Sequence, residues 1–367
     1  MTAMESRRES PRAAAPTFVY VSNAEDGNIA TYRMESETGV LQAGPRVHVA
    51  PMVMPMTASN DRRFLYVAVR SKPFSVVTLS IDPRTGALER VATASLPDSM
   101  CYVSVDKTGR FLFAASYGGS LVSVSAVGAD GRVSEAPLQV IPTGRNAHSI
   151  RVDESNRFVF VPTLGSDAVF QYNFDEQSGR LSSNTPAAVL VTPLAGPRHV
   201  ITSRDNRFVY VVNEMLGTVT TFALDAGTGL LTELDSASGV PSSAKLIPGA
   251  PRGGQSARNT DNDIWAADLH MTPDGRFVYL SERTTSTLAQ FNVNAATGEL
   301  TYAGSTPTEK QPRGFAIEPG GNFLVASGEK SETISVYAID SATGALSPLE
   351  RYPTGKGANW VEIVRFE

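Results

Sequence analysis

A pair of marks recurs seven times along the chain, and this repeat constrains the fold more than any other feature. The first mark is an aromatic strand opening on Phe18 (FVYVSN), Phe64 (FLYVAV), Phe111 (FLFAAS), Phe158 (FVFVPT), Phe208 (FVYVVN), Phe277 (FVYLSE) and Phe323 (FLVASG). Intervals between them are 46, 47, 47, 50, 69 and 46 residues. Most are preceded by a polar turn: NDRR, KTGR, ESNR, RDNR, PDGR or PGGN. The second mark is a glycine turn, TGVL at 38, TGAL at 85, DGRV at 130, SGRL at 178, TGLL at 228, TGEL at 297 and TGAL at 343. Glycine there supplies the positive φ of a tight hairpin.

Each unit therefore holds four strands: one before the aromatic strand, the aromatic strand, a third up to the glycine turn, and a fourth after it. Four-stranded units with a period of 40 to 50 residues are the signature of β-propeller blades. No stretch keeps a helical period, and the uniform spacing argues against a pair of sandwiches. The expectation is an all-β, seven-bladed β-propeller of four antiparallel strands per blade. Because the chain enters on a second strand at Phe18, the first blade lacks its innermost one. Asn359 to Phe366 (NWVEIVRF) reads as that missing strand, closing the ring and burying both edges.

Residues 17–367 form one domain on this reading, and Met1 to Pro16 a flexible tail. The tail has no apolar stretch that would make it a secretory signal. The 69-residue interval holds an insertion, Ser236 to Asp263, rich in Ser, Gly, Pro and Ala, expected as a long loop over one mouth of the channel. It reads equally as a disordered surface loop or as a lid.

Composition excludes several function classes. Lys plus Arg number 32 against 37 Asp plus Glu, for a formal charge of −5, with no basic footprint for nucleic acid. No apolar run reaches the roughly 18 residues of a membrane helix. The one cysteine, Cys101, precludes an internal disulfide and suits a reducing, cytoplasmic setting. No GxSxG elbow, P-loop or HExxH occurs, and neither a cofactor nor a metal is expected.

The repeat also locates a candidate site. Ten residues before each marker Phe, where innermost strands begin, stand Met54, Cys101, His148, Arg198, Ala267 and Arg313, with Asn359 on the closing strand. One step on come Pro55, Tyr102, Ser149, His199, Asp268, Gly314 and Trp360. The second strands end in Asn23-Ala24, Val69-Arg70, Ser116-Tyr117, Thr163-Leu164, Asn213-Glu214, Glu282-Arg283 and Gly328-Glu329. Antiparallel strands joined by a turn bring these positions to one edge, so blades four to seven load one mouth with charge. Arg198, Arg283 and Arg313 are planar cations suited to phosphate or carboxylate. His148, His199 and Glu214 are candidate bases. Arg70, Asn213, Glu282 and Asp268 are candidate substrate contacts. Any one of them reads equally well as a structural hydrogen bond between blades. Asp268 suits ordering a loop, Cys101 a buried filler, His270 a contact within its blade and His48 the surface.

GPRH at 196–199, VNE at 212–214, WAADLHMTPDGRFVY at 265–279, ERT at 282–284, QPRGF at 311–315 and the closing NWVEIV resemble the seven-bladed 6-phosphogluconolactonases of the bacterial propeller type. PM at 51–52 and 55–56, YVAVR at 66–70 and AHS at 147–149 fit the same pattern. This family is related to fungal carboxy-cis,cis-muconate lactonising enzymes. The resemblance implies metal-free hydrolysis of 6-phosphoglucono-δ-lactone in the pentose phosphate pathway, on a small phosphorylated sugar lactone, by a monomer or weak homo-oligomer. From the lactonising relatives it implies a His, two Arg and a Glu, which fall on His148, Arg198, Glu214 and Arg283. On this view Arg198 stabilises the oxyanion, Arg283 and Arg313 hold phosphate, and Glu214, ahead of His148, is the base. A muconate-type cycloisomerase and a non-enzymatic binding propeller are the alternatives; charge in the channel disfavours the second.

Overall fold

The computed structural model describes residues 15–251 and 259–366. Seven antiparallel sheets follow one another as propeller blades. Blade 1 pairs the closing strand Ala358–Arg365 with Thr17–Asn23, in register from Thr17 opposite Arg365 to Ser22 opposite Trp360, with a bulge at Asn359 before Asn23 meets Ala358. The ring thus closes as the chain ends require. Its outer part is Asn28–Met34, Leu41–Ala43 and the short Val47–His48. Blades 2 to 7 each run from the channel outward in chain order. The tail expected at Met1 to Pro16 lies almost wholly outside the described residues.

The two sequence marks prove to be the two halves of one contact. Each turn glycine has φ between +71° and +78° and packs on the marker phenylalanine of the preceding blade. Gly86 meets Phe18, Gly131 meets Phe64, Gly179 meets Phe111, Gly229 meets Phe158, Gly298 meets Phe208 and Gly344 meets Phe277. Gly39 meets Phe323 and carries the series across the closure from blade 7 to blade 1. A Cβ at any of the seven would fall within 3.0 Å of the ring. The residue is therefore fixed twice, by backbone conformation and by packing. In five blades the arginine before the phenylalanine stacks on that ring, as Arg207 does 5.0 Å from the Phe208 centroid. It then reaches carbonyls of the next blade's turn, Ala296 in the case of Arg207.

Local irregularity at the start of the innermost strands sets up the channel. Between Pro197 (opposite Asn213) and Val200 (opposite Val211) two residues, Arg198 and His199, oppose one, a β-bulge. Blade 6 repeats it with Ala267 and Asp268, and blade 2 with Met54 and Pro55. In blades 4 and 7 regular pairing starts later, at Arg151–Val152 and Phe315–Ile317. His148 and Arg313 thus precede their strands rather than opening them.

The insertion differs from expectation at its start. The outer strand of blade 5, Leu231–Ser238, runs into it, and a turn of 3-10 helix follows at Ser242–Ala244. Gly249 N–H donates to the Met215 carbonyl at 2.8 Å, so the loop is rooted beside Glu214. Its stretch 252–258 lies outside the described residues.

Candidate active site

The central channel is split by a layer of rings. His199 stacks edge-on with Tyr102 (5.0 Å between centroids) and His148 (5.4 Å), and lies 6.0 Å from Trp360. On one side is a cavity of about 140 Å³ lined by Arg70, Cys101, Tyr117, His148, Glu214, Trp265, Arg283 and Arg313. On the other is a larger one of about 340 Å³, bordered by His199, Asp268, His270, Arg151 and Glu362 among others. Size favours the second, but the converging arginines favour the first. Unlike charges of fixed geometry are what orient a small polar ligand.

Two sequence positions build all of the smaller cavity but Trp265. Six residues after the marker Phe come Arg70, Tyr117, Glu214 and Arg283; ten residues before it come Cys101, His148 and Arg313. The first set is tied down by its own backbone. Arg70 N–H donates to Met52, Glu214 N–H to Gly196 and Arg283 N–H to Trp265. Strand alternation sends the preceding residue the other way. Asn213 and Glu282, expected to touch substrate, turn away from the cavity into their own blades. Asn213 donates to Thr218 and Thr220 hydroxyls, while Glu282 accepts from Trp265 N–H and from Thr285. His199 and Asp268 border the opposite cavity. Arg198 is fully buried beneath Glu214 and lines neither.

Glu214 is the hub. Its Oε2 accepts from Arg198 Nε at 2.8 Å and from Arg283 Nη2 at 2.9 Å. Among the described residues, both side-chain hydrogen bonds of Glu214 fall on Oε2 and none on Oε1. Burial would raise this carboxyl, but Arg283 and then Arg198 outweigh it and hold the pKa below the ordinary glutamate value. Arg283 is oriented further by the Trp265 and Ala266 carbonyls, and its guanidinium lies 3.8 Å from the centroid of Trp265. Arg313 donates to Glu329 Oε1 at 3.2 Å, and Gln311 holds the other oxygen at 2.9 Å. Arg70 is aimed by Ser99 Oγ at 2.9 Å.

His148 is buried with its Nδ1 3.8 Å from Cys101 Sγ. Burial, and then the Arg198 guanidinium, keep its pKa well below the usual histidine value, so the ring is neutral at pH 7. Trp265 and Tyr117 line the cavity although the sequence does not mark either as a candidate site residue. Tyr117 occupies the same repeat position as Glu214, which was the available signal. Trp265 precedes its strand and carries no repeat mark. Among the described residues no group of three or more His, Cys, Asp or Glu could hold a metal ion, and no helix is long and apolar enough to cross a membrane.

Residues 17–363 match the family model described as lactonase, 7-bladed beta-propeller. A 6-phosphogluconolactonase of Pectobacterium carotovorum subsp. carotovorum is 40% identical over 349 residues, 95% of this chain and 99% of the relative. One from Serratia proteamaculans is 39% identical over 95% of this chain and 98% of its own. Among solved structures, the periplasmic gluconolactonase of Pseudomonas aeruginosa aligns with a TM-score of 0.82 at 28% identity, covering 96% of this chain and all of the other. A Lactobacillus plantarum protein at 22% identity shares the fold, with a TM-score of 0.82 over 95% and 99% of the two chains.

Proposed function

The chain belongs to the seven-bladed β-propeller lactonase family, and we propose that it hydrolyses 6-phospho-D-glucono-1,5-lactone to 6-phosphogluconate, a step of the pentose phosphate pathway, in the cytoplasm. The observation that carries this reading is a charge count at the mouth. Among the described residues, Arg70, Arg283 and Arg313, with Arg198 directly behind, supply four guanidinium groups against the carboxylates of Glu214 and Glu329. The surplus of two positive charges matches the roughly −1.5 to −2 of a phosphate monoester at neutral pH.

Roles follow from what lines the cavity. Arg70 and Arg313 hold the phosphate, and the lactone carbonyl faces Arg283, expected from sequence to hold phosphate. Arg198, expected from sequence at the oxyanion, lies too deep and acts on Glu214 instead. Water bound between Glu214 Oε1 and His148 attacks C1, and its proton passes to Glu214. Negative charge thereby leaves Glu214 and appears on the carbonyl oxygen beside Arg283. The cation that balanced the base now balances the oxyanion, with little reorganisation of the site. Collapse breaks the bond from C1 to the ring oxygen, which takes the proton from Glu214 as it becomes the C5 hydroxyl. The new carboxylic acid ionises and releases one proton to solvent.

The experiment that tests the phosphate assignment compares 6-phosphogluconolactone with unphosphorylated glucono-1,5-lactone. Arg313→Ala should raise KM for the first and leave the second nearly unchanged, as lost uniform binding does. Equal effects on both substrates would remove Arg313 from the phosphate site. His148 supports a second reading as base, since its neutral ring borders the same cavity.

A further inference from the structure

A polar column crosses the aromatic layer and joins the two cavities. It runs from Glu214 through Arg198 and His199 to Asp268 and His270. Arg198 Nε donates to Glu214 Oε2 at 2.8 Å, and Arg198 Nη1 lies 2.9 Å from His199 Nε2. His199 Nδ1 lies 2.8 Å from Asp268 Oδ1, and His270 Nε2 lies 3.1 Å from Asp268 Oδ2. All but His270 are buried.

Donor and acceptor chemistry fixes every proton in it. Arginine has no acceptor, so His199 Nε2 must accept from Arg198 and carry no hydrogen. The ring proton then sits on Nδ1 and is donated to Asp268. Asp268 is an acceptor when ionised, so His270 Nε2 must donate to Oδ2. Burial would raise the Asp268 carboxyl, but His270 and His199 together hold it well below its ordinary pKa. His199 is driven down to about 3, by burial first and by Arg198 next, so it stays neutral across the physiological range. A group locked this way is no base. It is a spacer of fixed tautomer between a carboxylate and a guanidinium.

We propose that His199 and Asp268 are positioning residues for lactone hydrolysis: Asp268 sets the Nδ1–H tautomer of His199, His199 fixes the Arg198 guanidinium, and Arg198 with Arg283 clamps Glu214 Oε2 so that Oε1 is presented to the substrate cavity. The proposal deepens the lactonase reading and rests on it. It also explains why a GPRH motif with Arg and His adjacent is useful. The bulge at 198–199 lets the two side chains meet each other, whereas regular alternation would send them to opposite faces.

The test joins spectroscopy on the wild-type protein to kinetics on variants with 6-phosphogluconolactone. In ¹⁵N-histidine spectra, His199 should show a protonated Nδ1 and a bare Nε2, unchanged from pH 5 to 8. Asp268→Ala and His199→Phe should each lower kcat roughly 10–100-fold, as loss of an orienting partner does, with KM within about twofold. Asp268→Asn, whose Oδ1 can still accept from Nδ1, should keep most of the activity. A purely structural role would lower the melting temperature in all three variants while leaving kcat of the folded fraction intact. That outcome overturns the proposal, as does a wild-type His199 with its proton on Nε2 or titrating in this range. Should Asp268→Ala fail to fold, His199→Phe and the wild-type spectrum still decide. Wild-type protein inactive on both lactones would instead defeat the lactonase reading, while the tautomer result would still stand or fall by itself.

Discussion

Arg198 and Glu214 form an ion pair with 2.8 Å between Nε and Oε2, their side chains only 1% and 6% exposed. A buried charge without its partner is costly, and truncating one side of such a pair destabilises by about 3–5 kcal/mol. Glu214→Gln should therefore lower the melting temperature as well as kcat. With the fold intact at low temperature, kcat should still fall about 10²–10⁴-fold, the range for loss of a general base. His148→Gln should cost less. A full loss in His148→Gln with mild effects in Glu214→Gln would exchange their roles.

The pH profile is expected to be flat from pH 8 down past 6.5. A histidine base would ordinarily impose a limb near its reference pKa of about 6.5. Here burial and Arg198 lower His148, and the two arginines lower Glu214, so either base loses activity only on further acidification. A limb at 6.5 or above, measured as kcat/KM against pH, would contradict this electrostatic description.

Glu362 borders the larger cavity, where burial raises its pKa to about 7 against the opposing Ala58 N–H. A carboxyl raised on folding contributes stability below its unfolded value of about 4.5, and that contribution fades as pH rises through 7. Glu362→Gln should therefore match the wild type near pH 4.5 and become progressively more stable than it up to pH 7. Discounting for the partial exposure of Glu362, the gain should reach about 2 kcal/mol. His148 and His199, lowered on folding, act in the opposite direction but are common to both proteins. Parallel denaturation curves from pH 4.5 to 8 would show that Glu362 does not titrate there.

The glycine–phenylalanine contacts make a separate claim about the fold. Gly229→Ala forces a positive φ on alanine and a Cβ into Phe158. The left-handed conformation costs about 1–2 kcal/mol and the overpacking about 1–3. The variant should lose roughly 2–5 kcal/mol in denaturant melts with kcat/KM of the folded protein unchanged. An unchanged melting midpoint would mean that the turn relaxes without penalty.

The blade count and the mouth positions were legible because each repeats, and repetition makes a register readable without contacts; the closing strand was legible because the first blade lacks its innermost one. Gly86 and Phe18 could be seen as marks, but not as partners, because they are 68 residues apart. The site was harder. His148, Glu214, Arg283, Arg313 and Arg70 come together around one cavity, whereas Asn213 and Glu282 share an edge with them and face away. One residue of strand alternation separates the two outcomes, and β-bulges shift that parity locally. Arg198 and His199 were visible as an adjacent pair. Their difference in depth depends on the bulge at Pro197 to Val200, which no residue type announces.

The central claim is that the mouth hydrolyses a phosphorylated lactone, and acid release at constant pH tests it most directly. Freshly prepared 6-phosphogluconolactone and glucono-1,5-lactone are each titrated with and without the purified protein. The phosphorylated lactone should be consumed far faster than its spontaneous rate, with kcat/KM well above that of the unphosphorylated one, and Glu214→Gln should abolish most of the acceleration. Acid release indistinguishable from the uncatalysed rate with both lactones would contradict the assignment of this site.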